Sequence, residues 1–321
     1  MNSATSALVA PAPAFGLLTV EGPDAASFLH NQLSTDVAGM ADGQVRWSTY
    51  NSPKGRMLAS LLLWRRGREA FAALVAADLA EALAKRLSMY VLRAKAKVAD
   101  RSPSGRRYAV AGAGAGAAVA AALGTTVAAG TGAETADAWL FGAPDGRILV
   151  HADAAHADAV LARLSAHAQA TASGRLDWEG IRAGIPLVTR ATQDLFIPQT
   201  ANFDLTGGVD FNKGCYPGQE IVARMQYLGR LKERLFAYHA QAEPPAPGTP
   251  LFSAAFGEQA CGNVASAAPA PDGGTDLLAV VQRSAHAAPD LRLGSPDGPA
   301  LAPRPLPYAV PDPVAPERPK L

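Results

Sequence analysis

Two cysteines in 321 residues, Cys215 and Cys261, lie far apart with no Cys-x-x-Cys spacing. That scarcity argues against a disulfide framework and against a structural zinc or iron–sulfur site built by this chain alone. It fits a reducing, cytoplasmic setting. Net charge is missing too: 29 Lys and Arg against 28 Asp and Glu leave +1, so no global field recruits nucleic acid or an acidic membrane. Met1–Pro13 has no basic residue ahead of an apolar run and reads as a loose arm, not a secretory signal. The longest uncharged stretch, Tyr108–Ala133, is mostly Ala, Gly and Thr where a bilayer span needs Leu, Ile and Phe. No membrane span is expected. The histidines form no metal pattern, since His151 and His156 lie off one helical face and His30 and His239 sit among apolar neighbours. No stably bound metal is expected either.

What the chain does have is apolar content, 49% of its residues, enough to bury the cores of two or three domains. Phe15–Val20, Val45–Tyr50, Met57–Trp64 and Ala70–Val75 have strand patterning, with Leu61-Leu62-Leu63 apolar on both faces and so central in a sheet. Asp24 is placed to cap a helix through Leu33, and Asp78 one through Tyr90. Arg93, Lys95 and Lys97 alternate with Ala94, Ala96 and Val98, which puts three cations on one strand face. That face is either solvated or meets a polyanion.

A similar order recurs after Arg107. A helix over Gly116–Leu123 is followed by strands at Ala138–Phe141 and Arg147–His151, and Asp153 is placed to cap a helix through Leu164. The fold class expected is therefore α+β, as two split strand-helix-strand units. Beyond Glu243, Pro and Gly punctuate short apolar runs, which implies a small β-barrel-like domain, and the proline-rich end from Pro303 reads as an extended tail.

The chemistry concentrates at Lys213-Gly214-Cys215-Tyr216-Pro217-Gly218-Gln219-Glu220. A nearby lysine and a helix N-terminus are the common devices that keep a thiol ionised, and Pro217 suits a first helical turn. A free cysteine is equally a residue type often found buried and inert. Upstream, Gln199, Asn202, Asp204 and Asp210 are interleaved with Phe196, Phe203 and Phe211, a composition that suits a flat heteroaromatic ligand or a polar loop closing a domain.

The run from Ile181-Arg182-Ala183-Gly184-Ile185-Pro186 through Phe196-Ile197-Pro198-Gln199 to Lys213–Arg224 resembles the signature of the YgfZ-type folate-binding proteins, relatives of the glycine-cleavage T-protein. Val20–Ala25, Gln32–Val37 and Ser52–Met57 resemble that family's N-terminal motifs. The resemblance covers Phe15 to Phe236. It implies an aminomethyltransferase-like folate-binding domain over residues 1–104 and 175–232, with a second α+β domain over 105–174, a C-terminal β domain over 233–302 and a tail over 303–321. Three domains would surround a central opening that holds tetrahydrofolate or a one-carbon derivative.

It also implies a role in iron–sulfur cluster assembly or repair, through transient contact with iron–sulfur proteins or assembly factors. The effect on tRNA methylthiolation would be indirect, without strong nucleic-acid binding, and the chain would act as a monomer. Carried onto this sequence, the functional thiol is Cys215 with Lys213 as its activating cation. The folate residues are Phe15, Asn51, Lys54, Trp178, Gln199, Asn202, Tyr216, Gln219, Glu220 and Arg224, with the glutamate tail near Lys54 or Arg56. An aromatic position that is tryptophan in some members is Phe15 here, and the tryptophan ahead of the Ile-x-Ala-Gly step is shifted to Trp178. Aminomethyl transfer itself is disfavoured, because Gly55–Ser60 carries no carboxylate to assist proton transfer. A tRNA-binding module resting on the three alternating cations and Arg106-Arg107 is the remaining alternative.

Overall fold

The computed structural model describes residues 7–227 and 231–312. The α+β class holds: three sheets carry seven helices among these residues, namely α1 (Ala25–Gln32), α2 (Ala80–Met89), α3 (Ala115–Leu123), α4 (Ala157–Ser165), α5 (Ser173–Arg182), α6 (Gln219–Tyr227) and the four-residue α7 (Arg283–His286).

The first sheet is antiparallel, in the spatial order Val45–Asn51, Met57–Gly67, Ala70–Ala76, Phe15–Glu21, Lys97–Asp100. Leu61, Leu62 and Leu63 are buried within it, as a run apolar on both faces requires. Helices α1 and α2 connect its strands, and Ala25, Phe28 and Leu29 form the buried stripe of α1.

The second sheet repeats this plan. Gly132–Glu134, Ala138–Gly142, Ile148–Asp153 and Gly105–Ala111 follow in space as the first four strands of the first sheet do, with α3 and α4 in place of α1 and α2. One element breaks the repeat. Leu8–Pro11, from the segment expected to be a loose arm, inserts antiparallel to Gly105–Ala111 and parallel to Gln169–Ala170. Val9 and Ala10 are buried there. Three small apolar residues in a row provide too little periodicity to mark a strand, and only tertiary pairing creates it.

The third sheet, antiparallel and curled into a half-barrel, runs Arg292–Leu293, Pro250–Phe252, Gly262–Pro269, Thr275–Gln282, Glu233–Ala240, Ala302–Arg304. The expected tail therefore begins inside the fold. Its Ala302–Arg304 segment pairs with Glu233–Ala240, and the Tyr308 hydroxyl donates to the Gly184 carbonyl at 2.6 Å. Residues 313–321 and 1–6 lie outside the described residues.

Three expected helix caps and one expected strand face change. Asp24 sits at the N-cap of α1, but its carboxylate accepts the Lys95 N–H at 2.7 Å and makes no cap bond. Asp78 accepts the Arg190 N–H at 2.9 Å, while Leu79 holds the N-cap of α2. His156, not Asp153, is the N-cap of α4. The same Asp24 contact bends the chain at Lys95, and Leu92 takes φ +49°. The three alternating cations are therefore not a strand face: the strand starts only at Lys97.

A buried ion pair joins the first and third units. Arg234, on the third sheet, makes a two-pronged pair with Asp204 at 2.6 and 2.9 Å and donates to the Gln199 carbonyl at 2.6 Å. Both side chains are almost fully buried. Removing one partner of such a pair leaves an uncompensated charge, so Arg234→Met should cost about 3–5 kcal/mol of unfolding free energy in urea titration. Adding Asp204→Asn should restore part of that loss, because the stranded carboxylate goes with it.

His151 is also buried, with its Nδ1 unpartnered. Burial, helped by Arg107, pushes its pKa from 6.5 down to about 4. A base with a depressed folded pKa binds a proton more readily when unfolded, so this stability is complete above pH 6.5 and is lost as pH falls toward 4. The loss should reach about 3 kcal/mol at pH 4. Urea midpoints at pH 7 and 4.5 should differ less in His151→Phe than in the parent chain.

Candidate functional site

The Cys215 loop is anchored at both ends. The Lys213 ammonium donates to the carbonyls of His30 and Leu33, the latter at 2.6 Å, and so closes the C-terminal end of α1. Its charge also lies 4.8 Å from the Tyr216 ring centre. Burial pulls the Lys213 pKa down to about 8, opposed by Asp36, Asp210 and Cys215. Burial likewise raises that of the Tyr216 phenol. The Gln219 amide donates to the Lys213 carbonyl at 3.2 Å and closes the loop on itself.

Two glycines make the other anchor. Gly218 has φ +79°, and a Cβ there would lie 2.4 Å from the Ser52 carbonyl oxygen. A Cβ on Gly55, φ +72°, would lie 2.9 Å from the Ile221 side chain. The turn Ser52–Gly55 and the start of α6 thus meet backbone to backbone. This contact also delays the helix: a residue at φ +79° is not helical, so α6 starts at Gln219 and Pro217 falls outside it. Cys215 is left exposed on the loop, four residues ahead of α6. Among the described residues no hydrogen bond joins it to Lys213, whose ammonium is held by the α1 carbonyls.

Gln199 is buried and donates to the Val222 carbonyl at 2.6 Å, which ties α6 to the first unit. Asn202, at φ +62°, donates to the Leu235 carbonyl and the Tyr308 hydroxyl. Asn51, at the strand end before the turn, is buried with neither amide atom partnered. Lys54, Glu220 and Arg224 are exposed, and the Arg56 guanidinium donates to the Asp194 and Leu195 carbonyls.

A second location lies where the three units meet. A cavity of about 210 Å³ is lined by Phe15 and Trp47 of the first sheet, Arg147 of the second unit, Asp177, Gly180 and Ile181 of α5, and Ser266 of the third sheet. Beside it, sharing Arg147 and Ile185, a cavity of about 500 Å³ is walled by Asp145, Glu179, Arg182, Leu205 and Tyr308 among others. Together they fall within the roughly 300–1,000 Å³ typical of small-molecule sites. The Trp47 indole N–H is buried and unpartnered. Asp177 opens onto the cavity, yet the surrounding walls raise its pKa by burial, with Arg147 opposing. Asp145 locks the Arg147 guanidinium in a two-pronged contact, and Glu179 holds Arg175 and Arg182.

Of the folate candidates read from sequence, Phe15 alone lines either central cavity. Trp178 does not: its indole donates to Asp276 at 2.7 Å, and Arg175 and Arg182 pack against its ring. Lys54, Arg56, Cys215 and their neighbours share no wall with these cavities. Sequence reasoning missed Trp47, Arg147 and Asp177. Asp177 adjoins Trp178 on an amphipathic helix, but nothing in its spacing says which way α5 faces. Among the described residues no three of His, Cys, Asp and Glu are grouped to hold a metal ion, and no helix is long and apolar enough to cross a membrane.

No family model matches the chain. It is similar to the tRNA-modifying protein YgfZ of Edwardsiella ictaluri, 32% identical over 303 residues that cover 91% of this chain and 90% of the relative. The tRNA-modifying protein YgfZ of Sodalis glossinidius is 31% identical over 305 residues, covering 92% and 91%. In three dimensions the chain resembles the glycine cleavage system aminomethyltransferase T of Bartonella henselae, with a TM-score of 0.76 at 21% identity over 95% of this chain and 86% of that one. The aminomethyltransferase-like architecture read from the sequence is thereby shown.

The glycine contact generates a direct test of the loop. Gly218→Ala places a Cβ against the Ser52 carbonyl at a φ that alanine disfavours. It should cost about 1–3 kcal/mol in thermal or urea unfolding and change the rate at which iodoacetamide alkylates Cys215. Gly207→Ala, at a similar φ but with open space around it, should leave that rate alone.

Proposed function

This chain belongs to the YgfZ family, and from that premise we propose that it is a cytoplasmic, monomeric, folate-binding accessory protein that supports iron–sulfur cluster assembly or repair, with tRNA modification as an indirect readout. The observation that carries the folate reading is the pair of cavities at the junction of the three units. Their groups match the ligand chemically. A pterin presents an amino-imino edge that a carboxylate can accept in two parallel hydrogen bonds, and Asp177 is the free carboxylate of the smaller cavity. The Trp47 N–H is a spare donor for a ring carbonyl, and Phe15 and Trp47 offer apolar and aromatic faces for the flat ring. Arg182, at the larger cavity, supplies a cation for the glutamate tail. Lys54 and Arg56 line neither cavity.

Tetrahydrofolate when bound would supply a one-carbon carrier or a reducing pterin. The chain's own part is to orient the ring, keep water from one face and hold a carboxylate against its edge. Aminomethyl transfer stays disfavoured by the lack of a carboxylate across Gly55–Ser60. The cluster role rests on the exposed Cys215 thiol: one thiolate is too few to hold a cluster, so it would act as a transient ligand with a client completing the set.

Tetrahydrofolate titrated into the purified protein should quench tryptophan fluorescence saturably. Asp177→Asn should weaken binding about tenfold or more, the scale of a lost charge-assisted contact, whereas Cys215→Ser should bind as the parent does. Absence of saturable binding, or an unchanged affinity in Asp177→Asn, overturns the site. In cells under oxidative stress Cys215→Ser should lower the activity of cluster-dependent enzymes, and undiminished activity removes the thiol from the reading.

A further inference from the structure

The C-terminal end of α2 and the turn after it form a surface that the folate reading does not use. Met89, Tyr90 and Leu92 are consecutive or nearly so, and they are 61%, 46% and 87% exposed. They account for three of the five large apolar side chains exposed among the described residues. Leu92 is held out by a left-handed backbone, φ +49°, a conformation that costs a leucine energy and that only the surrounding structure maintains. The turn that maintains it is built from specific bonds: Ala94 N–H donates to the Val91 carbonyl at 2.8 Å, and Lys95 N–H to the Asp24 carboxylate at 2.7 Å. Behind it the Arg86 guanidinium bonds the Tyr50 hydroxyl at 3.2 Å and lies 5.9 Å from the Tyr90 ring centre, so the ring has a fixed support.

Around these side chains stand Lys85, Arg93 and Lys95, all exposed, and none forms an ion pair among the described residues. Three unpaired cations around an apolar tip form a surface whose centre is apolar and whose rim is positive, the arrangement of a protein-protein docking site.

We propose that this tip docks a protein partner through an acidic amphipathic segment, with apolar side chains meeting Met89 and Leu92 and carboxylates meeting Lys85, Arg93 and Lys95. Charge complementarity fixes the sign of the partner, and exposed aliphatic side chains favour protein over RNA. RNA faces read by proteins are polar and rely on aromatic stacking, and Tyr90 is the single ring here, already supported by Arg86. The proposal stands apart from the folate reading, since none of these residues lines the central cavities.

The test uses the full chain and two probes: a synthetic amphipathic helix with leucines on one face and glutamates on the other, and bulk tRNA. Fluorescence anisotropy should give saturable binding of the labelled peptide that weakens with salt. Leu92→Glu and the pair Arg93→Glu with Lys95→Glu should each weaken it about tenfold or more, with thermal midpoints unchanged because these side chains are exposed, and tRNA should not compete. The pair of charge reversals should also gain affinity for the same helix carrying lysines. Peptide that fails to bind, or binds all variants alike, overturns the proposal. Displacement of peptide by tRNA, or tRNA binding that the same variants abolish, overturns it in favour of an RNA face.

Discussion

The buried Arg234 guanidinium is the contact on which the arrangement of the units depends. It stands on the third sheet and reaches into the loop that leaves the first unit, where Asp204 and the Gln199 carbonyl satisfy three of its directions. The same loop carries Asn202, whose amide bonds the Leu235 carbonyl and meets the Tyr308 hydroxyl of the C-terminal segment. A fork of fixed geometry transmits position better than apolar packing does, because it has one good arrangement and apolar contacts have many. A buried pair is weak evidence for stability, but it can specify which surfaces meet. Here it sets the third sheet against the first, and the gap they leave beside α5 is the central cavity.

The cavity is a consequence of three walls that cannot close on one another. Arg147 and Asp145 form one rigid corner from the second unit, α5 forms another through Gly180 and Ile181, and the first sheet adds Phe15 and Trp47. Gly180 lets the Arg147 guanidinium come against α5, since a Cβ there would lie 2.8 Å from its Nη1. With both sides fixed by backbone approach or ion pairing, no side chain can collapse inward to fill the space. The unpartnered Trp47 N–H and the raised pKa of Asp177 are what such an unfilled, partly dry space leaves behind.

Periodicity made the two α+β units legible: the Leu61-Leu62-Leu63 run, the Phe28–Leu29 stripe of α1 and the second strand-helix series after Arg107 all correspond to elements of the repeat. What could not be read were contacts between distant segments. Leu8–Pro11 becomes a strand only because Gly105–Ala111 offers it an edge, and Asp24 abandons its cap because Lys95 presents an N–H. The motif around Cys215 identified a loop that matters to the fold, but its residue types have two uses. Lys213 is engaged with the end of α1 while its charge still feels Cys215, and Gln199 and Asn202 donate to backbone carbonyls while the Gln199 Oε1 stays buried and unpartnered. Asp177 was invisible for the opposite reason: an acidic residue on an amphipathic helix is ordinary until the helix is seen facing a cavity.

The separation of cavity and thiol constrains any mechanism that needs both. Cys215 lines neither cavity, so the ring site at Asp177 and the thiol are separate places on the described structure. One element touches both. The strand Val45–Asn51 has Trp47 in the cavity wall and ends at Asn51, immediately before the turn Ser52–Gly55 that Gly218 contacts. Four residues of strand span about 13 Å, and its pairing with Met57–Gly67 shifts register between Tyr50 and Asn51. The Ser52 carbonyl lies so near Gly218 that a Cβ there would come within 2.4 Å of it, so the turn at this strand's end and the Cys215 loop meet in close backbone contact. The two unpartnered amide atoms of Asn51 lie on that route, in a buried place where a small displacement can make or break a hydrogen bond. This strand therefore joins the cavity wall to the turn packed on the Cys215 loop within a single element of the first sheet.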